Sequence, residues 1–337
     1  TEAARVLVRL LGASASSPTR LPATHDRSLL GKRMLVVMEG LDTLEPTGEE
    51  PASLKVKPMS GAREPDSEEW LDVPAKGCEA RYTSRVKALQ PAIRRVVASL
   101  FFNNTEPSFE TYGHRRGELD EGSLHKLWLR DDRVMSRRDI KARKSVAVGL
   151  LIDESGSMGV NKRHIKARDV AITLYEALGQ VQGLQVSVYG HTTADRAKRG
   201  SVLSLRAYVT PRLPRNAASM MRIDHCHENL DSWATLGVTR RMLEDFPHVS
   251  RRLLFVISDG QPCGMEYGGK PAMEHVRKVV QASHARGVQV YGLGIDNAFT
   301  PEEADRMYGP GRCVVLEDVE SSVPVITRFL RQVTRTM

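Results

Sequence analysis

The chain has 337 residues, enough for one large domain or two moderate ones with ample core. It contains no apolar run long enough to cross a bilayer, so a membrane-spanning helix is excluded and no membrane partner is expected. Its net charge of +8 is locally concentrated, which suits an acidic partner surface, but no helix-turn-helix, zinc-finger or RNA-recognition pattern accompanies it.

The amino end carries no signal-peptide arrangement. Cys78, Cys226, Cys263 and Cys313 are scattered and lack metal-ligand spacing. That pattern favours free thiols in a reducing compartment and predicts a cytoplasmic protein.

In chain order, residues 1–41 alternate apolar and basic stretches (Arg5 to Leu11, Arg33 to Met38) and suggest short elements of a small domain. From Asp42 to Val73 the composition turns to Pro, Gly, Glu, Asp and Ser, with Trp70 the only aromatic, and reads as an acidic linker. Residues 1–80 thus form an N-terminal region. A helical lead-in, 81–144, follows, with a helix from Tyr82 to Phe102 set by Val86, Leu89, Ile93, Val96, Val97 and Leu100. Pro91 kinks that helix or marks its start. A turn, Arg115-x-Gly117-x-Leu119-Asp120, precedes a short helix through Trp128. Arg130, Arg133, Arg137, Arg138, Lys141, Arg143 and Lys144 then form a basic run, read with Lys162, Arg163, Lys166 and Arg168 as a solvated charged surface.

The remainder, 145–337, alternates strands and helices. Strands are expected near 146–153, 184–190, 203–208, 252–258, 288–294 and 313–316, and helices near 163–179, 232–245, 271–286, 301–307 and 321–335. Apolar strands alternating with helices imply an α/β fold with a doubly wound, mainly parallel sheet.

Between the first of these strands and its helix lies Asp153-Glu154-Ser155-Gly156-Ser157. One carboxylate and two hydroxyls, spaced two apart, leave the carboxyl end of a strand, where open α/β sheets place ligands. Hard oxygen donors suit Mg²⁺ or Mn²⁺ better than zinc. A second strand, Leu253 to Ser258, ends in Asp259-Gly260, and a third ends in Gly292-Leu293-Gly294-Ile295. Asp153 and Asp259 are therefore expected on one rim.

These motifs together resemble the von Willebrand factor A (VWA) family over about residues 145–336. That resemblance implies a Rossmann-like domain with a metal-ion-dependent adhesion site. It implies Asp153 reaching the ion through water, Ser155 and Ser157 as hydroxyl ligands, and Asp259 holding ligand waters. The family's usual Thr from a middle loop is not clearly matched. Asp231, within His227-Glu228-Asn229-Leu230-Asp231-Ser232, is the expected substitute, with Ser232 second. Glu154 is expected to face solvent. The order of long helix, Arg-x-Gly-x-Leu-Asp turn, basic stretch and metal loop further resembles the CobT-type subunit of aerobic cobaltochelatase. It is also similar to NorD-like proteins that accompany MoxR-type AAA+ ATPases.

The resemblance implies an accessory subunit working with such an ATPase. Its client would present an acidic side chain to the metal, and a large chelatase subunit would carry out cobalt insertion in cobalamin biosynthesis. A stand-alone module binding protein or nucleic acid is the alternative, with nucleic acid ranked below protein. Catalysis by this chain alone is not expected: there is no Gly-x-Ser-x-Gly elbow or phosphate loop, and no base is evident for Ser155 or Ser157. Asp224-His225-Cys226-His227-Glu228 is rich in ligand types, yet adjacent positions do not converge easily on one ion. It reads as a polar loop beside the main site. His191-Thr192-Thr193-Ala194-Asp195 is expected to shape the rim, and Gly264 to Gly269 to form a mobile edge beside Asp259.

Overall fold

The computed structural model describes residues 54–101, 108–140, 145–193, 202–214, 216–260, 262–264, 267–296 and 300–316. The expected elements in 1–41 and the helix expected at 321–335 lie outside these residues, as do Lys141, Arg143, Lys144, Ala194 and Asp195.

Strands β1 (Ser67–Asp72), β5 (Val146–Asp153), β6 (Leu184–Thr193), β7 (Val202–Val209), β8 (Arg251–Ser258), β11 (Val288–Ile295) and β12 (Cys313–Leu316) form one sheet in the order β1-β7-β6-β5-β8-β11-β12. Only the β6–β7 pair is antiparallel. The chain builds outward from β5 through β6 and β7 on one side and through β8, β11 and β12 on the other, so the strand order reverses between β5 and β8. The fold is α/β and doubly wound.

Every residue of β5 is buried, as a central strand covered on both faces requires. Its side chains alternate between two cores. Val146, Val148, Leu150 and Ile152 pack with Leu89, Ile93 and Val96 of α1 (Glu79–Phe101) and with Val170, Ile172 and Leu174 of α3 (Arg163–Leu178). Ala147 and Leu151 pack with Trp233, Leu236 and Met242 of α4 (Asp231–Asp245) and Met273, Val276 and Val279 of α5 (Gly269–Ala285). Gly149 belongs to this second face, where a Cβ would lie 2.6 Å from Met242 Sδ. α6 (Pro301–Tyr308) closes that side near β11, its first turn held by a Thr300–Glu303 capping box.

Three expectations about the amino-terminal half change. The segment read as linker through Val73 contains β1, which pairs in parallel with β7 from Ser67↔Val202 to Asp72↔Ala207. Trp70 anchors it, edge-on to Tyr189 at 5.9 Å between centroids and under the Arg241 guanidinium at 5.2 Å. Acidic residues had suggested a linker, but charge is also what an edge strand carries on its open side. Helix α1 begins at Glu79, so Pro91 lies in its interior. The burial of Leu89, Ala92, Ile93 and Val96 outweighs the roughly 3 kcal/mol a mid-helix proline costs.

The rest of the lead-in is not helical throughout. β2 (Ser108–His114), β3 (Glu118–Leu119) and β4 (Met135–Ile140) form a small antiparallel sheet in the order β2-β4-β3, with the short α2 (His125–Trp128) between β3 and β4. The Arg-x-Gly-x-Leu-Asp turn is the β2–β3 connection. Gly117 sits there at φ +147°, and a Cβ would lie 2.0 Å from the Ser136 carbonyl oxygen, so only glycine fits.

Candidate metal site on the sheet rim

The reversal of strand order leaves a crevice beyond the carboxyl ends of β5 and β8, and the oxygen-bearing residues gather there. Asp153, the last residue of β5, is fully buried and accepts three hydrogen bonds. Its Oδ1 accepts from the Ser155 amide at 2.8 Å; its Oδ2 accepts from Ser258 Oγ at 2.9 Å and Asn229 Nδ2 at 3.2 Å. The carboxylate is thereby aimed and largely occupied.

Beyond it runs a line of oxygens. Ser155 Oγ and Ser157 Oγ are 2.9 Å apart, and Ser157 Oγ donates to Asp259 Oδ1 at 2.9 Å. Six oxygens around an ion at about 2.0–2.1 Å are separated along octahedral edges by about 2.9 Å. The spacing of the two hydroxyls and the oxygen chemistry of the row therefore fit Mg²⁺ or Mn²⁺. Ser157 is exposed, so the row faces outward at that end, whereas Ser155 and Asp259 are buried.

Asp231 heads α4 and is buried among like charges. Burial and the charges of Asp153 and Asp259 push its carboxyl up to about 6, against the opposing pull of His191. His191 Nε2 stands 3.3 Å from Asp231 Oδ1, an ion-pair contact without hydrogen-bond alignment. Burial alone would lower the imidazole's affinity for its proton, but Asp231, Asp153 and Glu154 together raise it. Burial and Asp153 likewise raise Asp259 against the pull of Arg163 and Ser157. Ser232, the second choice beside Asp231, is committed elsewhere: its Oγ accepts from Tyr267 Oη at 2.9 Å and lies 2.7 Å from His275 Nδ1.

Glu154 corrects the expectation of a solvent-facing acid. It is fully buried, paired with Arg206 and accepting from Tyr208 Oη at 2.7 Å. Burial is the main reason its carboxyl rises to about 7, although Arg206 and Tyr208 pull the other way. Gly190 makes the room, since a Cβ there would lie 1.7 Å from Glu154 Oε1. Alternation along a strand decides this outcome: once Asp153 faces the rim on one side, Glu154 points to the other.

Sequence reasoning missed three residues that shape the site. Asn229 ties two loops together, donating to Asp153 and accepting from the Cys263 amide at 2.7 Å. Ser258 was passed over as a strand residue, though it closes β8 beside Asp259 and donates to Asp153. His191, expected to shape the rim, does so against Asp231. Arg163 was assigned to a solvated basic surface. Instead its Nη1 donates to Asp259 Oδ2 at 2.8 Å, and Arg163 and Lys166 both pair with Asp296. The signal was its position at the start of the helix leaving the metal loop.

The rim-shaping role of the β6 end is visible in its bonds. The Thr193 amide donates to the Glu228 carbonyl, and the Glu228 amide to Thr193 Oγ1, each at 3.1 Å. The Cys226 amide donates to the Glu154 carbonyl, and the Gly156 amide to the His227 carbonyl. The loop expected to be a mobile edge is partly a two-strand pairing, β9 (Cys263–Gly264) with β10 (Tyr267–Gly268), and Tyr267 is buried.

Fold and rim together define an α/β domain with a row of oxygen donors at the switch point of its sheet, a donor set of the chemistry that divalent cations take. No protein-family model and no curated protein matches the chain. Among solved structures it is similar to a von Willebrand factor type A protein from Catenulispora acidiphila, at 14% identity and TM-score 0.40 over 58% of this chain and 44% of that one. It is similar to manganese-loaded TRAP protein of Plasmodium vivax, at 16% identity and TM-score 0.38 over 54% and 72%. It is also similar to the vWF domain of the pilus tip protein Mfa5 of Porphyromonas gingivalis, at 7% identity and TM-score 0.41 over 57% and 96%. The chain spans less than half the length of the first of these.

Proposed function

We propose that this chain is a VWA-type accessory subunit that works with a MoxR-type AAA+ ATPase, in the manner of the CobT-type subunit of cobaltochelatase. The observation that carries the metal part of this reading is the Ser155–Ser157 hydroxyl pair at octahedral-edge spacing, with Asp259 hydrogen-bonded to Ser157 and a fully satisfied Asp153 beside it. Ser155 and Ser157 would hold Mg²⁺ or Mn²⁺ directly, with Asp153 and Asp259 orienting its waters. Asp231 is the further carboxylate, close enough to add charge. A bound divalent ion supplies a Lewis-acidic position that an acidic side chain of a client protein can occupy. The chain's own residues pre-set that position: Arg163 neutralises one oxygen of Asp259, and Asn229 and Ser258 hold Asp153 still.

The ATPase partner, the large chelatase subunit and cobalt insertion rest on the order of helix, Gly117 turn, basic run and metal loop. Four free cysteines support a reducing, cytoplasmic setting. Among the described residues no helix is long and apolar enough to cross a membrane.

The test is purification of the tagged full chain from its native host in Mg²⁺, with Asp153→Ala as control. Co-purification of an AAA+ ATPase and a large chelatase subunit with the wild type alone is expected. An ATPase with a different client would retain the mechanism and change the pathway. Recovery of no ATPase would overturn the subunit reading and leave the stand-alone module.

A further inference from the structure

A second cluster of metal-binding side chains lies outside the oxygen row. His164, on the first turn of α3, meets Asp224 and His225 from the loop after β7. One ligand atom from each of the three lies within 4.8 Å of the others. The two imidazole rings are 4.5 Å apart between centroids, tilted by 35°. His164 Nε2 is 3.9 Å from Asp224 Oδ1, and His225 Nδ1 is 3.0 Å from the same oxygen.

We infer that His164, Asp224 and His225 form a zinc site, distinct from the oxygen-donor row, which staples the start of α3 to the 224–228 loop. Two imidazoles and one carboxylate are a donor set that zinc favours, and Mg²⁺ competes poorly for nitrogen.

Two features set this trio apart from a chance surface cluster. His164 Nδ1 lies 3.1 Å from the Met158 carbonyl oxygen, which can only accept. That contact fixes the tautomer with hydrogen on Nδ1 and leaves the Nε2 lone pair facing Asp224. Metal-binding histidines are commonly oriented in this way, by a backbone carbonyl on the far nitrogen. The second feature is Gly159, where a Cβ would sit 2.4 Å from His225 Cδ2 and 2.5 Å from its Nε2. The chain carries no side chain at the point where the His225 ring must pass.

Ligand atoms around tetrahedral zinc at about 2.0–2.1 Å are about 3.4 Å apart. Asp224, with 71% of its side chain exposed, can rotate to close the remaining gap. Arg168 lies within electrostatic reach of Asp224 and sets a limit on affinity. Three protein ligands leave a fourth position for water.

Adjacent positions in Asp224-His225-Cys226-His227-Glu228 do not converge by themselves, and that objection from sequence holds. The ligand that completes the set comes from a helix about 60 residues earlier, a separation no spacing rule reveals.

The experiment is equilibrium dialysis of the full chain against ZnCl₂ in the presence of millimolar Mg²⁺, followed through the histidine ring resonances. Wild type and Asp153→Asn should each bind one zinc at this site, with the His164 and His225 resonances shifting. His225→Ala, at an exposed position that leaves the core untouched, should weaken binding at least tenfold, and His164→Ala/His225→Ala should abolish it. Zinc affinity unchanged in the double variant would overturn the inference. So would loss of binding in Asp153→Asn alone, which would place the zinc in the oxygen row.

Discussion

Replacing Asp153 by asparagine changes one atom, and the structure dictates the consequence. Both oxygens of Asp153 accept, and each faces one obligate donor: the Ser155 amide at Oδ1 and the Asn229 amide nitrogen at Oδ2, beside the rotatable Ser258 hydroxyl. If the new amide nitrogen takes the Oδ1 position it confronts the Ser155 amide. If it takes the Oδ2 position it confronts Asn229, which cannot flip because its own oxygen accepts from Cys263. Either way one buried donor loses its acceptor, at a cost of about 1–3 kcal/mol. For a domain of this size that lowers the melting temperature by roughly 2–4 °C per kcal/mol. In metal-free buffer at pH 5, Asp231 is largely protonated, since its carboxyl titrates at about 6. Relief of charge repulsion is then small and the full deficit should appear. At pH 7.5 that relief partly offsets the loss, and the gap between variant and wild type should narrow. Saturating Mg²⁺, at about 100 times its dissociation constant, should stabilise the wild type by about 2.7 kcal/mol and the variant far less. Thermal melts at both pH values, with and without Mg²⁺, are the assay. A variant as stable as wild type at pH 5, or one with an undiminished Mg²⁺ shift, would refute the account of Asp153.

Other consequences are equally direct. Burial raises Asp231 to about 6 and Glu154 to about 7, so between about pH 4 and pH 7 the folded chain holds protons the unfolded chain has released. Stability in EDTA should therefore fall as pH rises through that window, and the raised His191 extends the fall at pH above its ordinary value of 6.5. A denaturation series giving a flat or rising profile would mean that Arg206 and His191 keep both carboxylates ionised. Gly190→Ala drives a methyl into Glu154 and Tyr208 and should cost at least the roughly 1–3 kcal/mol typical of overpacking, read from the urea midpoint. Trp70→Ala removes the anchor of β1 and should destabilise by about 2 kcal/mol, below a full core tryptophan because Trp70 is only partly buried. An unchanged midpoint there would mean β1 contributes nothing to the sheet.

The α/β half was legible because its strands are apolar runs broken by glycine and acid. The strands expected at 146–153 and 313–316 match Val146–Asp153 and Cys313–Leu316, and the other boundaries fall within a few residues. The rim acids were legible for the same reason, since a carboxylate at the end of a buried strand is costly unless partners at the rim compensate it. Three kinds of feature were not. β1 is short and charged on its open side, so composition marks it as linker. Glu154 reads as surface until Arg206, Tyr208 and the space at Gly190 are brought beside it. Arg163 and Asn229 act through partners 96 and 76 residues away, and their roles arise only when loops from different strands meet.

The strand carrying Trp70 has a bearing on where this chain can be divided. The sheet's outermost partner on that side is supplied by residues nearly eighty positions before β5, and α1 lays Leu89, Ile93 and Val96 over the same sheet. A protein begun at Ser145 would keep the whole oxygen row but present β7 as an unpaired edge with a stripped apolar face. Self-association is the expected fate of such an edge. The amino-terminal arm is thus the sheet's selvedge, and whatever draws on that arm draws on the weave that holds the rim.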